Sequence, residues 1–177
     1  MSEKQVALYI AVSLDGYIAD ENGSVEWLES IDSEGDAGYE AFFDNVDTVV
    51  MGRTTYQQIF SLTDTFPYSK KDVYVFSNTK AGTKDEYADF VAGTVDTWLN
   101  NIDGEKIWLV GGAKLVQQFL KEKAIDRFVI TIAPIILGKG IPLFEEDREH
   151  ALELEEVTRF GQFAQLTYKN LEENCCF

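Results

Sequence analysis

Residues 107–120 read "IWLVGGAKLVQQFL". Ile107 to Val110 form an apolar, β-branched and aromatic run that suits a buried strand. Two glycines follow, and then Leu115, Val116, Phe119 and Leu120 recur on one face at the helical period. Strand, glycine turn and helix in a single line is the unit of a parallel α/β sheet, because parallel neighbours need a crossover between them.

The same pattern extends outward. "VALYIAV" (6–12), "DTVVM" (47–51), "VYVF" (73–76), "KIWLV" (106–110) and "FVITIA" (128–133) are short apolar runs expected to be strands. Several are apolar on both faces, as strands covered on both sides are. "DAGYEAFFDNV" puts Tyr39, Phe42, Phe43 and Val46 on one helical face. After Pro134 the character changes, and "LELEEVTRF" and "FAQLTYKNL" flank Gly161 and Gln162 as an antiparallel hairpin at the sheet edge. The expectation is one α/β domain over 1–177 with a mixed, mostly parallel sheet.

Composition narrows the function. A chain of 177 residues buries roughly 70% of its unfolded surface, enough for a core without metal or disulfide staples. No apolar run approaches the ~18 residues of a membrane span, and "MSEKQ" lacks the pattern of a signal peptide, so a cytoplasmic location is expected. Cys175 and Cys176 are adjacent near the end of the chain and are expected to be reduced and incidental. The single histidine, His150, lies in the acidic run "FEEDREHALELEE" and is expected at the solvated surface. No metal site and no Ser-His or Cys-His pair is expected. The net charge of −16 argues against nucleic acid or an anionic membrane as partner. A small anionic ligand must therefore be held by local cations.

Three strand ends offer them: Gly52-Arg53-Thr54-Thr55, Ser77-Asn78-Thr79-Lys80, and Gly111-Gly112-Ala113-Lys114. Glycines admit a ligand close to the backbone, and helix N-termini present unpaired N–H groups to an anion. Arg53 and Lys114 stand where the helix dipole alone repels a cation. Each turn has an ordinary reading as a tight or capping turn, but three on one inferred sheet suit an elongated, multiply charged ligand. Neither G-x-G-x-x-G nor G-x-x-x-x-G-K-[ST] is present.

"AVSLDGYIADENGSVEWL" (11–28), "VVMGRTTY" (49–56), "VYVFSNT" (73–79), "IWLVGGAKLVQQFL" and "ITIAPIILGKGIPLF" (130–144), in that order, resemble the dihydrofolate reductase-like superfamily. Within it the chain is most similar to the reductase domain of the bifunctional riboflavin-biosynthesis deaminase/reductase and its stand-alone relatives. The resemblance implies NADPH as reductant, a small-molecule substrate and a homodimer. It implies that Gly52, Arg53, Thr54 and Thr55 bind the adenosine-side phosphates, and that Ser77, Asn78 and Thr79 lie near the 2′-phosphate. It places Val110, Gly111, Gly112, Ala113, Lys114 and Leu115 at the pyrophosphate, with Ala11, Val12 and Ile18 flanking the nicotinamide.

Catalytic and substrate positions are more open. Asp32 stands five residues after Trp27, where the folate-protonating acid would fall, but "WLESID" lacks the proline of true dihydrofolate reductases. A helix cap or a surface aspartate is the preferred reading. "SLDG" and "PIILGKGIPLF" point to the riboflavin branch, which implies that Asp15 lies near nicotinamide and substrate; an ordinary Asp-Gly turn is the alternative. Trp27, Tyr39, Phe42 and Phe43 are candidates to wall the substrate pocket, although helical spacing of the last three equally describes a core face. Lys139 either reaches a substrate phosphate or keeps its loop soluble. The leading expectation is a reductase acting on a C=N or C=O carbon, similar to 5-amino-6-(5-phosphoribosylamino)uracil reductase. Dihydrofolate reduction and a non-catalytic NADPH-binding module are the alternatives.

Overall fold

The computed structural model describes residues 3–145 and 148–171, so Cys175 and Cys176 lie outside the described residues. In chain order the elements are β1 (Gln5–Val12), β2 (Tyr17–Ala19), a 3-10 turn at Glu26–Leu28, α1 (Tyr39–Asp44), β3 (Thr48–Gly52), α2 (Arg53–Leu62), β4 (Asp72–Phe76) and β5 (Asp89–Val91). There follow α3 (Val95–Asn101), β6 (Lys106–Gly111), α4 (Ala113–Lys121), β7 (Arg127–Ile132), β8 (Ile141–Pro142), β9 (Leu152–Phe160) and β10 (Phe163–Asn170).

Eight strands form one sheet in the order β5-β4-β3-β6-β1-β7-β10-β9. β5, β4, β3, β6, β1 and β7 run parallel, and β10 is antiparallel to both neighbours. The hairpin expected from the sequence is β9–β10, turning at Gly161, with β9 on the edge. The carboxyl ends of β1, β3, β4 and β6 consequently share one side of the sheet, where ligands of open α/β sheets collect.

Successive strand residues point to opposite faces, which sorts the core into two layers. Leu8, Val50, Ile107 and Leu109 pack with Val95, Trp98, Leu115, Val116 and Phe119 of α3 and α4. On the other face Val49, Met51, Val73, Val75 and Trp108 pack with Tyr56 and Ile59 of α2, and with Tyr39, Phe42 and Phe43 of α1. The continuous burial of β3 from Thr48 to Met51 explains why its sequence does not alternate.

Trp108 is the hub of the second layer. Its ring lies 5.4–6.3 Å from those of Tyr9, Tyr39, Phe42, Phe43 and Tyr68, and its Nε1 donates to the Tyr9 carbonyl at 3.2 Å. His150, expected at the solvated surface, has a buried Nε2 instead. The chain there leads into β9, and the Leu171 N–H donating to the Ala151 carbonyl ties that entry to the end of the hairpin.

Phe119 is fully buried against Phe76 and Trp98. Phe119→Ala is expected to destabilise the fold by about 3–5 kcal/mol through lost burial and the cavity left, read from the urea unfolding midpoint.

Candidate functional site

β3 and β6 are adjacent, with Met51 paired to Gly111, so their glycine turns leave the sheet side by side. A Cβ added at Gly52 would lie 3.7 Å from the Gly112 nitrogen, and one added at Gly112 would lie 3.4 Å from Thr55 Oγ1. Any longer side chain at either place would fill the gap between the turns. Gly111 has φ 127°, a region that favours glycine, and its bond to Gly112 is cis.

Gly52 and Gly112 are the N-cap residues of α2 and α4, and neither N-terminus is capped by a side chain. α3 is different. Its Thr94 hydroxyl accepts from the Thr97 N–H at 3.2 Å, and the Glu122 carboxylate accepts from Val95 and Asp96 at 3.1 and 2.8 Å. The protein therefore satisfies the first turn of α3 internally and leaves the N–H groups of α2 and α4 for something else.

These ends open into a cleft of about 1010 Å³ at the carboxyl side of the sheet. Of the expected cofactor residues, Ala11, Ile18, Gly52, Arg53, Thr54, Thr55, Ser77, Asn78, Val110, Gly111, Gly112, Ala113, Lys114 and Leu115 all line it. Thr79 stands behind, accepting a hydrogen bond from Arg53 Nη1 at 3.1 Å, and Val12 is buried in the core. Among the described residues, no carboxylate forms an ion pair with Arg53 or Lys114.

The expected catalytic and substrate residues lie elsewhere. Asp32 is exposed and outside the cleft, on a loop held by the Gln162 N–H and packed against Gly161. Tyr39 and Phe42 are turned into the aromatic layer around Trp108, as their helical spacing equally allowed. Trp27 does not line the cleft, although Val25 and Leu28 beside it do. Lys139 also stands outside it and pairs with Glu21, a lining residue, at 3.4 Å.

Asp15 is a latch rather than a free acid. Its Oδ1 accepts from Ser13 Oγ at 2.6 Å and from the Leu137 N–H at 3.1 Å, while Oδ2 accepts from the Gly138 N–H at 2.8 Å. The carboxylate thereby fastens the segment after β7 to the end of β1. That segment continues into β8, which pairs with β2, and a Cβ on Gly140 would collide with the Ala19 carbonyl oxygen. Ile18 and Ala19 of the one strand and Ile141 of the other form a wall of the cleft.

Sequence reading missed Ile10, Ala19, Glu21, Gln58, Gln118 and Ile141, which the fold also brings to the cleft. Gln58 is one helical turn beyond Thr54, a spacing that does predict a shared face. Glu21 and Ile141 carry no comparable signal, because β2 and β8 are short and far apart in sequence. A second hollow, of about 780 Å³, opens on the opposite side around Gln5, Lys106 and Arg127, the first residues of their strands. It contains Asp126, whose carboxyl is pushed up by burial, and neither glycine turn.

The fold is of the dihydrofolate reductase-like type, with the cleft at the carboxyl side of its sheet. Residues 4–166 match the RibD C-terminal domain, and the chain belongs to that family. It is 47% identical over 170 residues to the uncharacterized protein YwjB of Bacillus subtilis (strain 168), covering 94% of this chain and 98% of YwjB. A solved Shewanella sp. PV-4 protein, provisionally assigned to riboflavin biosynthesis, superposes with TM-score 0.85 and 35% identity over 94% of this chain and 98% of that one. The Thermotoga maritima diaminohydroxyphosphoribosylaminopyrimidine deaminase/5-amino-6-(5-phosphoribosylamino)uracil reductase has the same fold, with TM-score 0.73 and 17% identity. This chain covers 57% of that longer protein, and 95% of this chain is matched.

Ser13 hydrogen bonding, the largest influence, together with the Gly138 and Leu137 amides holds the Asp15 carboxyl below its ordinary value, against an opposing desolvation that exceeds either amide alone. A depressed carboxyl stabilises the fold above the unfolded value, and that contribution disappears as pH falls through the folded one. Asp15→Ala should lower the thermal midpoint at neutral pH, and the gap to the unmodified protein should close on acidification below the normal carboxylate range.

Proposed function

We propose that this chain is an NADPH-dependent reductase of a heterocyclic or sugar-linked C=N or C=O substrate, akin in reaction to the aminouracil reductase. The observation that carries the reading is the pair of uncapped, glycine-started helices side by side at one cleft, each with a cation in its first turn that, among the described residues, forms no ion pair. Two adjoining N-termini with Arg53 and Lys114 fit a pyrophosphate better than a single phosphate. Arg53 reaches toward Thr79, which favours a further phosphate beside the Ser77–Thr79 turn and hence NADPH over NADH.

NADPH, when bound, supplies the two electrons and one hydrogen that reduce the electron-poor carbon. The chain's own part is positional. Gly111 and Gly112 let the dinucleotide approach the backbone, and Ile10, Ile18 and Ile141 give the cleft an apolar wall. Among the described residues Glu21 is the one carboxylate that lines the cleft, and it is paired with Lys139. The proton that completes the reduction is therefore assigned to water.

The same reading includes a homodimer. β9 is a nine-residue edge strand on which Leu154 is 52% and Val157 63% exposed beside Glu153, Glu155 and Glu156, and an unpaired strand edge with exposed apolar side chains is a template for pairing. Sedimentation should give twice the chain mass at micromolar concentration, and a Val157→Lys variant should sediment as a monomer.

Titration with NADPH and NADH tests the cofactor. Preference for NADPH is expected, and Arg53→Ala should weaken NADPH binding by about tenfold or more, the weight of a hydrogen bond to a charged group, with NADH affected less. Equal binding of both cofactors, or none, would contradict the reading.

A further inference from the structure

We infer that the substrate of this reductase carries no phosphate or other anionic group, because the cleft holds cations enough for the cofactor alone. The inference rests on the dinucleotide reading above. All fifteen Lys and Arg of the chain lie among the described residues. Only Arg53 and Lys114 of these line the cleft. Both follow a glycine helix start within two residues, on turns that touch each other. Arg53 is further tied toward the Ser77–Thr79 turn by its bond to Thr79. A dinucleotide with three phosphoryl groups engages both.

The third charged residue of the lining is Glu21, which has the wrong sign for a phosphate. Lys139 stands outside the lining, 76% exposed to water, with that carboxylate 3.4 Å away. The remaining wall on this side is Ile18, Val25, Leu28 and Ile141, with the amides of Asn22 and Gln58. Gln58 Nε2 donates to the Gly23 carbonyl at 3.0 Å, which fixes the amide and leaves its oxygen as an acceptor. Apolar side chains with a few fixed amide groups recognise a flat, uncharged ring by its faces and its edge. A phosphate placed there would lose its water without gaining a cation, an unfavourable exchange. The substrate class is thus a planar heterocycle, bare or bearing an unphosphorylated sugar. This differs from the phosphoribosyl compound in the name of the Thermotoga enzyme, whose likeness to this chain extends to the fold alone.

The test is calorimetric titration of the NADP+-saturated protein with ribose 5-phosphate, after NADP+ binding has been measured by its own titration. The inference expects no saturable binding tighter than about 1 mM. It expects Gln58→Lys, loaded with NADP+ in the same way, to bind ribose 5-phosphate at least about tenfold more tightly, the scale of one charge-assisted contact. Saturable binding to the loaded unmodified protein would overturn the substrate inference and leave the cofactor reading intact. A loaded variant that gains nothing would also overturn it, since cation supply would then not be what excludes a phosphate. Failure of NADP+ itself to bind would overturn both.

Discussion

Everything at the cleft depends on two glycine turns meeting at the carboxyl ends of adjacent parallel strands. β3 and β6 are buried on both faces, so their ends cannot shift without disturbing two core layers at once. The helices that follow begin without a capping side chain, which leaves donor groups and the positive ends of two dipoles aimed at one volume. The start of α3, whose first N–H groups donate to Glu122 and Thr94, shows that this sequence can close a helix end from within. In a chain of net charge −16, a cation beside each open end is a local reversal of the overall field.

The opposite wall is built by a different device. β2 and β8 are too short to be stable alone, and they are joined by contacts between loops: the Asp15 carboxylate on the Leu137 and Gly138 amides, Gly140 against the Ala19 carbonyl, and Lys139 with Glu21. One wall of the cleft is therefore set by core packing and the other by a few polar links. The second depends on pH and on single residues far more than the first.

The two walls also differ in how well the sequence foretells them. Strand, glycine turn and helix are contiguous, so hydrophobic periodicity and turn chemistry located β3–α2 and β6–α4 and the glycine turns that line the cleft directly. Side chains whose position depends on long-range pairing were not legible. Tyr39 and Phe42 have a helical spacing that fits a pocket wall and a core layer equally, and only the location of Trp108 decides for the core. Asp15 reads as an ordinary Asp-Gly turn or a catalytic acid, and the amides it binds are more than 120 residues away in the chain. The exposure of Asp32 follows from the packing of the hairpin turn at Gly161 against its loop, which no local pattern encodes.

On the reading proposed above, the glycine-turn cleft, and not the hollow at the other side of the sheet, receives a dinucleotide. Backbone amide chemical shifts followed by NMR during addition of NADPH address it most directly. The largest changes are expected at Gly52, Arg53, Thr54, Gly112, Ala113 and Lys114, with Gln5, Asp126 and Gln165 unmoved. Changes centred on those last three residues, with the glycine turns silent, would contradict it.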